Sequence, residues 1–345
     1  MPVLRTFIRA AALVVASWSF SAAAEPSFVP VYKDNFPDPH IVLSNGEFIA
    51  YSTNDGPNLP MLTSRDLVHW SQVLSADGRR ADGMPQLASW AKEGRTWAPE
   101  VMQAGGKWLL YYTAADAKLG RQCVGVALAG NPKGPFVDSH AEPLLCQIDQ
   151  GGTIDASPFR DADGKLYLYY KSDGNAVGKH TIIWGQRLSD DGQSLSGDPI
   201  PLIQDDAAWE WKLVEAPSMV KSPGGYQLFF SAAFFGWDYA KERLSNYATG
   251  YANCSGPLGP CQDAPENPLL HSFNDRQAGC LSGPGHPAIF SVRQRYFIAF
   301  HAWAATSGCR PSEDKRFLYI APLFWKDGKP QIGESLRETN PPGRR

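Results

Sequence analysis

A short motif recurs five times along this chain of 345 residues. A proline opens an apolar run, with a polar or small residue one to three places before it. The copies are Asp38-Pro39-His40-Ile41-Val42, Ala98-Pro99-Glu100-Val101-Met102, Asp155-Ala156-Ser157-Pro158-Phe159, Glu215-Ala216-Pro217-Ser218-Met219 and Gly285-His286-Pro287-Ala288-Ile289. Their prolines stand 60, 59, 59 and 70 residues apart. Self-similarity at a period near 50 residues marks a propeller or a related array, because each repeat is one unit that buries its apolar face only against its neighbours. Length alone suggests about two domains. Five copies spread over the chain imply one, covering residues 25–345.

Each motif leads into an apolar strand, a polar turn and a second β-prone run. The second runs are Phe48-Ile49-Ala50-Tyr51, Trp108-Leu109-Leu110-Tyr111-Tyr112, Leu166-Tyr167-Leu168-Tyr169-Tyr170, Tyr226-Gln227-Leu228-Phe229-Phe230 and Tyr296-Phe297-Ile298-Ala299-Phe300. The turns Asn45-Gly46, Gly105-Gly106, Asp163-Gly164 and Gly224-Gly225 have hairpin chemistry, and only the fifth, at Arg293-Gln294, lacks glycine. Third strands follow at 59–62, 124–128, 181–188, 247–252 and 317–324. Four strands in each of five repeats predict an all-β, five-bladed β-propeller. A two-sheet sandwich also uses short alternating strands, but it does not predict evenly spaced prolines. Helical periodicity is absent, apart from a turn or two over Gln86–Lys92.

The formal net charge of −3 argues against nucleic acid or an anionic membrane as partner. Arg5 and Arg9, the apolar run Ala10–Trp18 and Ala22-Ala23-Ala24 read as a signal peptide over 1–24, so the expected destination is the periplasm or the exterior. The apolar run is shorter than the ~20 residues of a membrane span. Six cysteines in an exported chain imply disulfides, with 15 pairings open. Pairing neighbours (Cys123 with Cys146, Cys254 with Cys261, Cys280 with Cys309) would keep each bond within one blade. No CxxC spacing suggests zinc or redox chemistry. The tail from Gly333 to Arg345 is polar and expected to be loosely ordered. A monomer is the default expectation.

In a propeller the first strands line the axis, so their starts converge. Here those starts carry Asp38, Ala98, Asp155, Glu215 and His286. Acidic residues cap turns commonly. Three carboxylates aimed at one funnel repel one another and shift each other's pKa values, which points to function.

The order Asp-Pro, Trp-Ala-Pro-Glu, Ile-Asp-Ala-Ser-Pro, Val-Glu-Ala-Pro-Ser and Gly-Pro-Gly-His-Pro resembles glycoside hydrolase family 43 over Asn35 to Trp325. That family comprises inverting arabinofuranosidases, xylosidases and arabinanases built on a five-bladed propeller. The resemblance implies that Asp38 is the general base, Glu215 the general acid, and Asp155 the group that tunes and orients the acid. An inverting glycosidase needs one ionised carboxylate to activate water and one protonated carboxyl to protonate the leaving oxygen, about 6.5–9.5 Å apart. Asp155, beside Glu215, could raise its pKa by like-charge repulsion. The resemblance also implies that His286 touches a metal ion or its water shell, commonly calcium. A histidine hydrogen-bonded in a polar channel is the equal alternative, since one imidazole is no signature of a hard cation. The carboxylate mechanism requires no cofactor.

Sugar rings stack on aromatic faces, and Trp97, just before the second motif proline, is the foremost candidate. Phe36, Trp211 and Trp237, then Trp209, Phe235 and Trp303, come after it. Asn35, Lys212 and His301 are expected hydroxyl contacts, and Arg310 is a further residue within reach of the fifth blade. The expected activity is exo α-L-arabinofuranosidase on arabinan or arabinoxylan, since Gly-Pro-Gly-His-Pro and Phe300-His301-Ala302-Trp303 look like the arabinan-active members. The alternatives are a β-xylosidase, an endo-arabinanase, or a non-catalytic carbohydrate-binding propeller. A retaining fructan-cleaving enzyme does not fit, because Pro37 precedes Asp38 and Asp155 stands in Ile-Asp-Ala-Ser.

Overall fold

A computed structural model describes residues 28–236, 244–275, 278–306 and 309–337. The expected leader and Trp237 lie outside them. Five antiparallel sheets succeed one another along the chain. Blade I holds β1 (His40–Ser44), β2 (Glu47–Tyr51), β3 (Met61–Ser64) and β4 (Ser71–Gln72). Blade II has β5 (Trp97–Ala104), β6 (Lys107–Ala115) and β7 (Gln122–Ala129), with single bridges from Val124 to Leu145 and Leu128 to Val137 on its outer edge. Blade III contains β8 (Thr153–Arg160), β9 (Leu166–Ser172), β10 (Ile182–Leu188) and β11 (Leu195–Gln204). Blade IV contains β12 (Val214–Ser222), β13 (Gly225–Ala232), β14 (Ala248–Cys254) and β15 (Cys261–Asp263). A hairpin of β16 (Phe273–Asp275) and β17 (Gly279–Leu281) is inserted next, which explains the longer last step of the repeat. Blade V is β18 (Gly285–Val292), β19 (Arg295–Ala305), β20 (Pro311–Lys326) and β21 (Lys329–Ile332).

The first strands β1, β5, β8, β12 and β18 pack each against the next, and β18 packs back on β1. The ring is therefore closed. The chain itself locks it: the Val31 N–H donates to the Leu318 carbonyl at 2.9 Å and the Phe36 N–H to the Arg316 carbonyl at 2.8 Å. Residues 31–36 thus extend blade V beside β20.

The second strand of each blade lies between neighbouring sheets, which is why its sequence is a continuous apolar run. In β9 every position from Leu166 to Ser172 is buried. Buried tyrosines need a partner for the hydroxyl. Tyr51 donates to the Pro132 carbonyl and Tyr169 to the Pro257 carbonyl, both at 2.6 Å, so the blade centres also hold the outer loops. The glycine-free turn forms all the same: Arg293 and Gln294 take φ of 48° and 65°, the left-handed pair that Asn45-Gly46 adopts at 50° and 78°. The three neighbour disulfides are present.

Two expectations are corrected. Gln86–Lys92 forms turn and loop, not helix; its apolar Trp90 is buried and stacks on Tyr112 with ring centroids 5.8 Å apart. The start of the tail is tied down, because the Gly333 and Leu336 N–H groups donate to the Pro322 and Ile320 carbonyls at 2.9 and 2.8 Å.

Candidate active site

The recurring motif is a recurring β-bulge. The pairing of first and second strands skips two residues between Trp97 and Glu100, Ile154 and Ser157, Glu215 and Ser218, and Gly285 and Ala288. The first skipped residue is left-handed each time: Ala98 (φ 44°), Asp155 (56°), Ala216 (53°) and His286 (55°), with Asp38 (54°) at the matching place in blade I. Non-glycine residues hold this conformation only where their surroundings enforce it. Here the preceding blade does so through the bulge N–H. Ala98 donates to Thr53 Oγ1 at 2.9 Å, Asp155 to Thr113 Oγ1 at 3.2 Å, His286 to Ser231 Oγ at 2.7 Å and Asp38 to His301 Nδ1 at 3.0 Å. Ala216 donates instead to Asp155 Oδ2 at 2.9 Å, because the corresponding residue of blade III is Lys171, which has no acceptor.

This register corrects the alignment read from the prolines. Ala216, not Glu215, matches Asp38 and Asp155; Glu215 stands one residue earlier, opposite Ser231. Pro158 is two places beyond the position of the other prolines, which Ala156 fills. Glu100, conspicuous in Trp-Ala-Pro-Glu, is buried with its Oε2 3.3 Å from His40 Nδ1.

Asp38, Asp155, Glu215 and His286 line one cavity of about 420 Å³, together with Trp97, Lys171, Phe235, Tyr247 and Arg316. On one side, Asp38 Oδ1 lies 3.1 Å from Arg316 Nη1 and 3.4 Å from His286 Nδ1, while Oδ2 accepts the Thr53 hydroxyl at 2.5 Å. Burial opposes the charge, but Arg316 and then His286 outweigh it and hold the Asp38 carboxyl well below the usual carboxylate range. His301 is fully buried, and burial together with Arg316 pulls its pKa down to about 4. Its Nδ1 accepts the Asp38 N–H and so carries no proton. The 3.3 Å approach of this nitrogen to Asp38 Oδ1 is accordingly no hydrogen bond.

On the other side, Glu215 Oε1 accepts the Tyr247 hydroxyl at 2.8 Å and Oε2 accepts from Lys171 Nζ at 3.2 Å. Lys171 also donates to Asp173 Oδ1 at 3.1 Å, and its side chain is 1% exposed. Burial works against the ammonium, yet Glu215, Asp173 and Asp155 raise its pKa above the ordinary lysine value. For Asp155 burial is the main cause of a shift up to about 7, with Glu215 and Asp38 adding to it and His286 and Lys171 opposing it. The cavity therefore has one wall that keeps Asp38 ionised and another in which Asp155 keeps a proton beside Glu215.

Among the expected sugar contacts, Trp97 and Phe235 line the cavity. Phe36 does not: it is 1% exposed and packs edge-on against Tyr32, with centroids 5.9 Å apart, in the core between blades V and I. Asn35 is also taken up structurally, its Oδ1 accepting the Arg316 N–H at 3.1 Å. His301 stacks on Tyr247 (5.8 Å) and supports Asp38 from below the cavity surface. Trp211 is 67% exposed and, like Lys212, stands outside the cavity lining. Trp209 packs on Phe230 at 5.6 Å, and Trp303 donates its indole N–H to the Phe235 carbonyl at 2.8 Å. The arginine that reaches the site is Arg316, not Arg310. Sequence reasoning missed Arg316, Lys171 and Tyr247. Lys171 had a visible signal, a lysine closing the apolar run of β9.

His286 stands in the cavity beside Asp38, its Nδ1 3.4 Å from Asp38 Oδ1. Among the described residues, no group of three His, Cys, Asp or Glu ligands includes it. The acidic oxygen nearest to it already faces the Arg316 guanidinium.

Comparison with known proteins agrees with this architecture. The family described as Glycosyl hydrolases family 43 matches residues 29–330. The chain is 27% identical over 290 residues to a "Beta-D-galactofuranosidase xynD" from Aspergillus niger, covering 79% of this chain and 75% of that one. It is 26% identical over 328 residues to a "Beta-xylosidase" from Bacillus subtilis, covering 88% of this chain but 56% of the relative, so it spans about half the length of that protein. An "Extracellular exo-alpha-(1->5)-L-arabinofuranosidase ArbA" from Cellvibrio japonicus is 23% identical over 331 residues, 86% of each chain. The crystal structure of a thermostable family-43 glycoside hydrolase superposes with a TM-score of 0.75 at 27% identity, covering 92% of this chain and 99% of the other. A five-bladed propeller with three carboxylates at its axis and a family match over nearly its whole described length, the chain belongs to glycoside hydrolase family 43 and is an O-glycosyl hydrolase.

Proposed function

We propose that this chain is an exported, monomeric, inverting α-L-arabinofuranosidase that removes terminal or side-chain arabinose from plant arabinan or arabinoxylan. The observation that carries the mechanism is the opposite electrostatics of the two cavity walls. Asp38, held ionised beside Arg316 and His286, takes a proton from the water that attacks the anomeric carbon. Glu215, fixed by Lys171 and Tyr247, gives a proton to the glycosidic oxygen as its bond to that carbon breaks. Asp155 retains a proton within the same wall and, through the Ala216 N–H, sets the backbone just after Glu215. Trp97 and Phe235 offer apolar faces to the sugar. The steps use only the chain's own side chains and call for no cofactor.

The choice of arabinose rests on the arabinofuranosidase from Cellvibrio japonicus, which this chain matches over the same large share of both proteins. Xylosides are the second reading, favoured by the Bacillus subtilis relative. The test is turnover of a panel of nitrophenyl glycosides and debranched arabinan by wild type and Glu215→Gln, with the anomer of the first product read by NMR. Arabinoside cleavage with inversion, lost on arabinan in the variant, supports the proposal. Preferential xyloside cleavage overturns the sugar, a retained anomer overturns the mechanism, and sugar binding without cleavage moves the chain to a binding role.

A further inference from the structure

Single exposed apolar side chains are ordinary on a protein surface, but one that lines a functional cavity is a ready contact for a ligand. Among the described residues, Phe234 and Phe235 are the exposed large hydrophobics that line the axial cavity, and Phe234 is the more open, at 65%. Phe235 already has a place. The Arg316 guanidinium lies over its ring at 5.1 Å, and its carbonyl accepts the Trp303 indole N–H. Phe234 rests against Phe235, ring centroids 5.0 Å apart, and presents the rest of its ring to solvent at the cavity. That ring has no part in the reaction described above.

The backbone holds it there. β13 ends at Ala232, and Ala233 turns the chain out of the sheet in the left-handed region, at φ 67°. The Ala233 N–H donates to the Glu210 and Leu213 carbonyls at 3.0 and 3.1 Å, on the segment that leads into β12 and Glu215. The Ser245 hydroxyl lies 3.4 Å from the Phe234 carbonyl and 3.3 Å from that of Phe235. Gly236 leaves room for the ring, since a Cβ at that position would run into Phe234 Cε1. Left-handed backbone at a non-glycine residue persists only where its surroundings enforce it, and here the enforced turn delivers an aromatic ring to the cavity.

Its place in the blade tells which part of a substrate the ring meets. Glu215 pairs with Ser231 of β13, and Phe234 follows Ser231 by three residues, so acid and ring stand on one blade. Glu215 gives its proton to the departing oxygen. The sugar that carries this oxygen therefore lies on the blade IV side of the cleaved bond, while water comes from Asp38 on the other side. The CH-bearing face of a sugar is apolar, and laying it on an exposed ring removes apolar surface of both from water.

We propose that Phe234 is the platform for the leaving sugar, so that the enzyme selects substrates in which another sugar, not a small aglycone, follows the cleaved bond. The inference rests on the roles given above to Asp38 and Glu215 and adds the residue that reads the leaving group. Phe234 acts by binding and takes no part in proton transfer.

The experiment compares wild type, Phe234→Ala and Phe234→Tyr on arabinotetraose and on methyl α-L-arabinofuranoside, whose leaving group needs the same acid but has no ring. Phe234→Ala changes an exposed side chain and should unfold at the wild-type temperature. Its kcat/KM should fall about tenfold on the tetraose, mostly through KM, and about twofold or less on the methyl glycoside. Phe234→Tyr keeps the ring and should keep most of the tetraose rate. Equal losses on both substrates would make Phe234 a support of the pocket, and an unchanged tetraose rate would leave the ring without a sugar; either result overturns the proposal. Should wild type prefer xylosides, the same comparison runs on xylotetraose and methyl xyloside. A wrong sugar thus shows in wild type, and a wrong platform shows only in the variants.

Discussion

Lys171→Met tests the electrostatic frame that fixes Glu215. The ammonium lies 3.2 Å from Glu215 Oε2 and 3.1 Å from Asp173 Oδ1. At an effective dielectric near 20, each contact has a raw attraction of about 5 kcal/mol. Desolvation of Lys171 offsets most of that, and removing one partner of a buried pair costs a net 3–5 kcal/mol, because the other charge is left uncompensated. Methionine has similar volume, so little of the loss comes from a cavity. Lys171 also opposes the rise in the Asp155 pKa, so its removal lets that pKa climb further. A carboxyl whose folded pKa is raised costs stability that grows as pH rises from its unfolded value through its folded one. The deficit should therefore be about 3 kcal/mol or more at pH 8 and smaller at pH 5, measured by urea unfolding at both. As the Asp155 pKa climbs, the basic limb of the kcat/KM profile should move with it to higher pH. A variant within ~1 kcal/mol of wild type at both pH values, with an unchanged pH profile, would refute the claim that Lys171 is an ionised partner of the acid.

Three further outcomes follow from particular contacts. His301→Ala leaves the Asp38 N–H without its acceptor and should lower kcat more than it raises KM, at a stability cost of about 1–3 kcal/mol; His301→Gln, which keeps an acceptor, should recover part of the rate. Phe36→Ala should cost about 3–5 kcal/mol in chemical unfolding while KM stays the same, and a rise in KM without instability would return Phe36 to the sugar site. Gln294→Gly relieves a left-handed side chain in the β18–β19 turn and should raise stability by about 0.5–1 kcal/mol, as read from the urea midpoint.

Much of the fold was legible because the same local chemistry repeats. The apolar second runs, the Asn-Gly and Gly-Gly turns and the spaced prolines each report a strand, a hairpin or a blade boundary independently of the others. Even the Arg293-Gln294 turn forms, because strand pairing on both sides overrides the poor turn residues. The carboxylates Asp38, Asp155 and Glu215 were legible for the same reason, standing beside the repeat's markers. The finer register was not. A bulge skips residues, so prolines count positions along the chain rather than places on the axis, and Glu215 and Pro158 were assigned to the wrong ones. Arg316 and Tyr247 reach the cavity from a third strand and from the residue before one, where no repeat marks them. Phe36 and Asn35 looked like site residues by proximity to Asp38 in sequence, but closing the ring on blade V turns one into the core and the other onto the Arg316 backbone.

The division of labour between the two walls is tested most directly by leaving-group dependence. Wild type, Glu215→Gln and Asp38→Asn would be compared on arabinan and on a dinitrophenyl arabinoside, whose leaving group departs without protonation. Glu215→Gln should lose about 10²–10⁴-fold on arabinan yet stay near wild type on the activated glycoside, while Asp38→Asn should lose both. An equal loss on both substrates in Glu215→Gln, or near-wild-type turnover of arabinan by either variant, would contradict the assignment of Glu215 as acid and Asp38 as base.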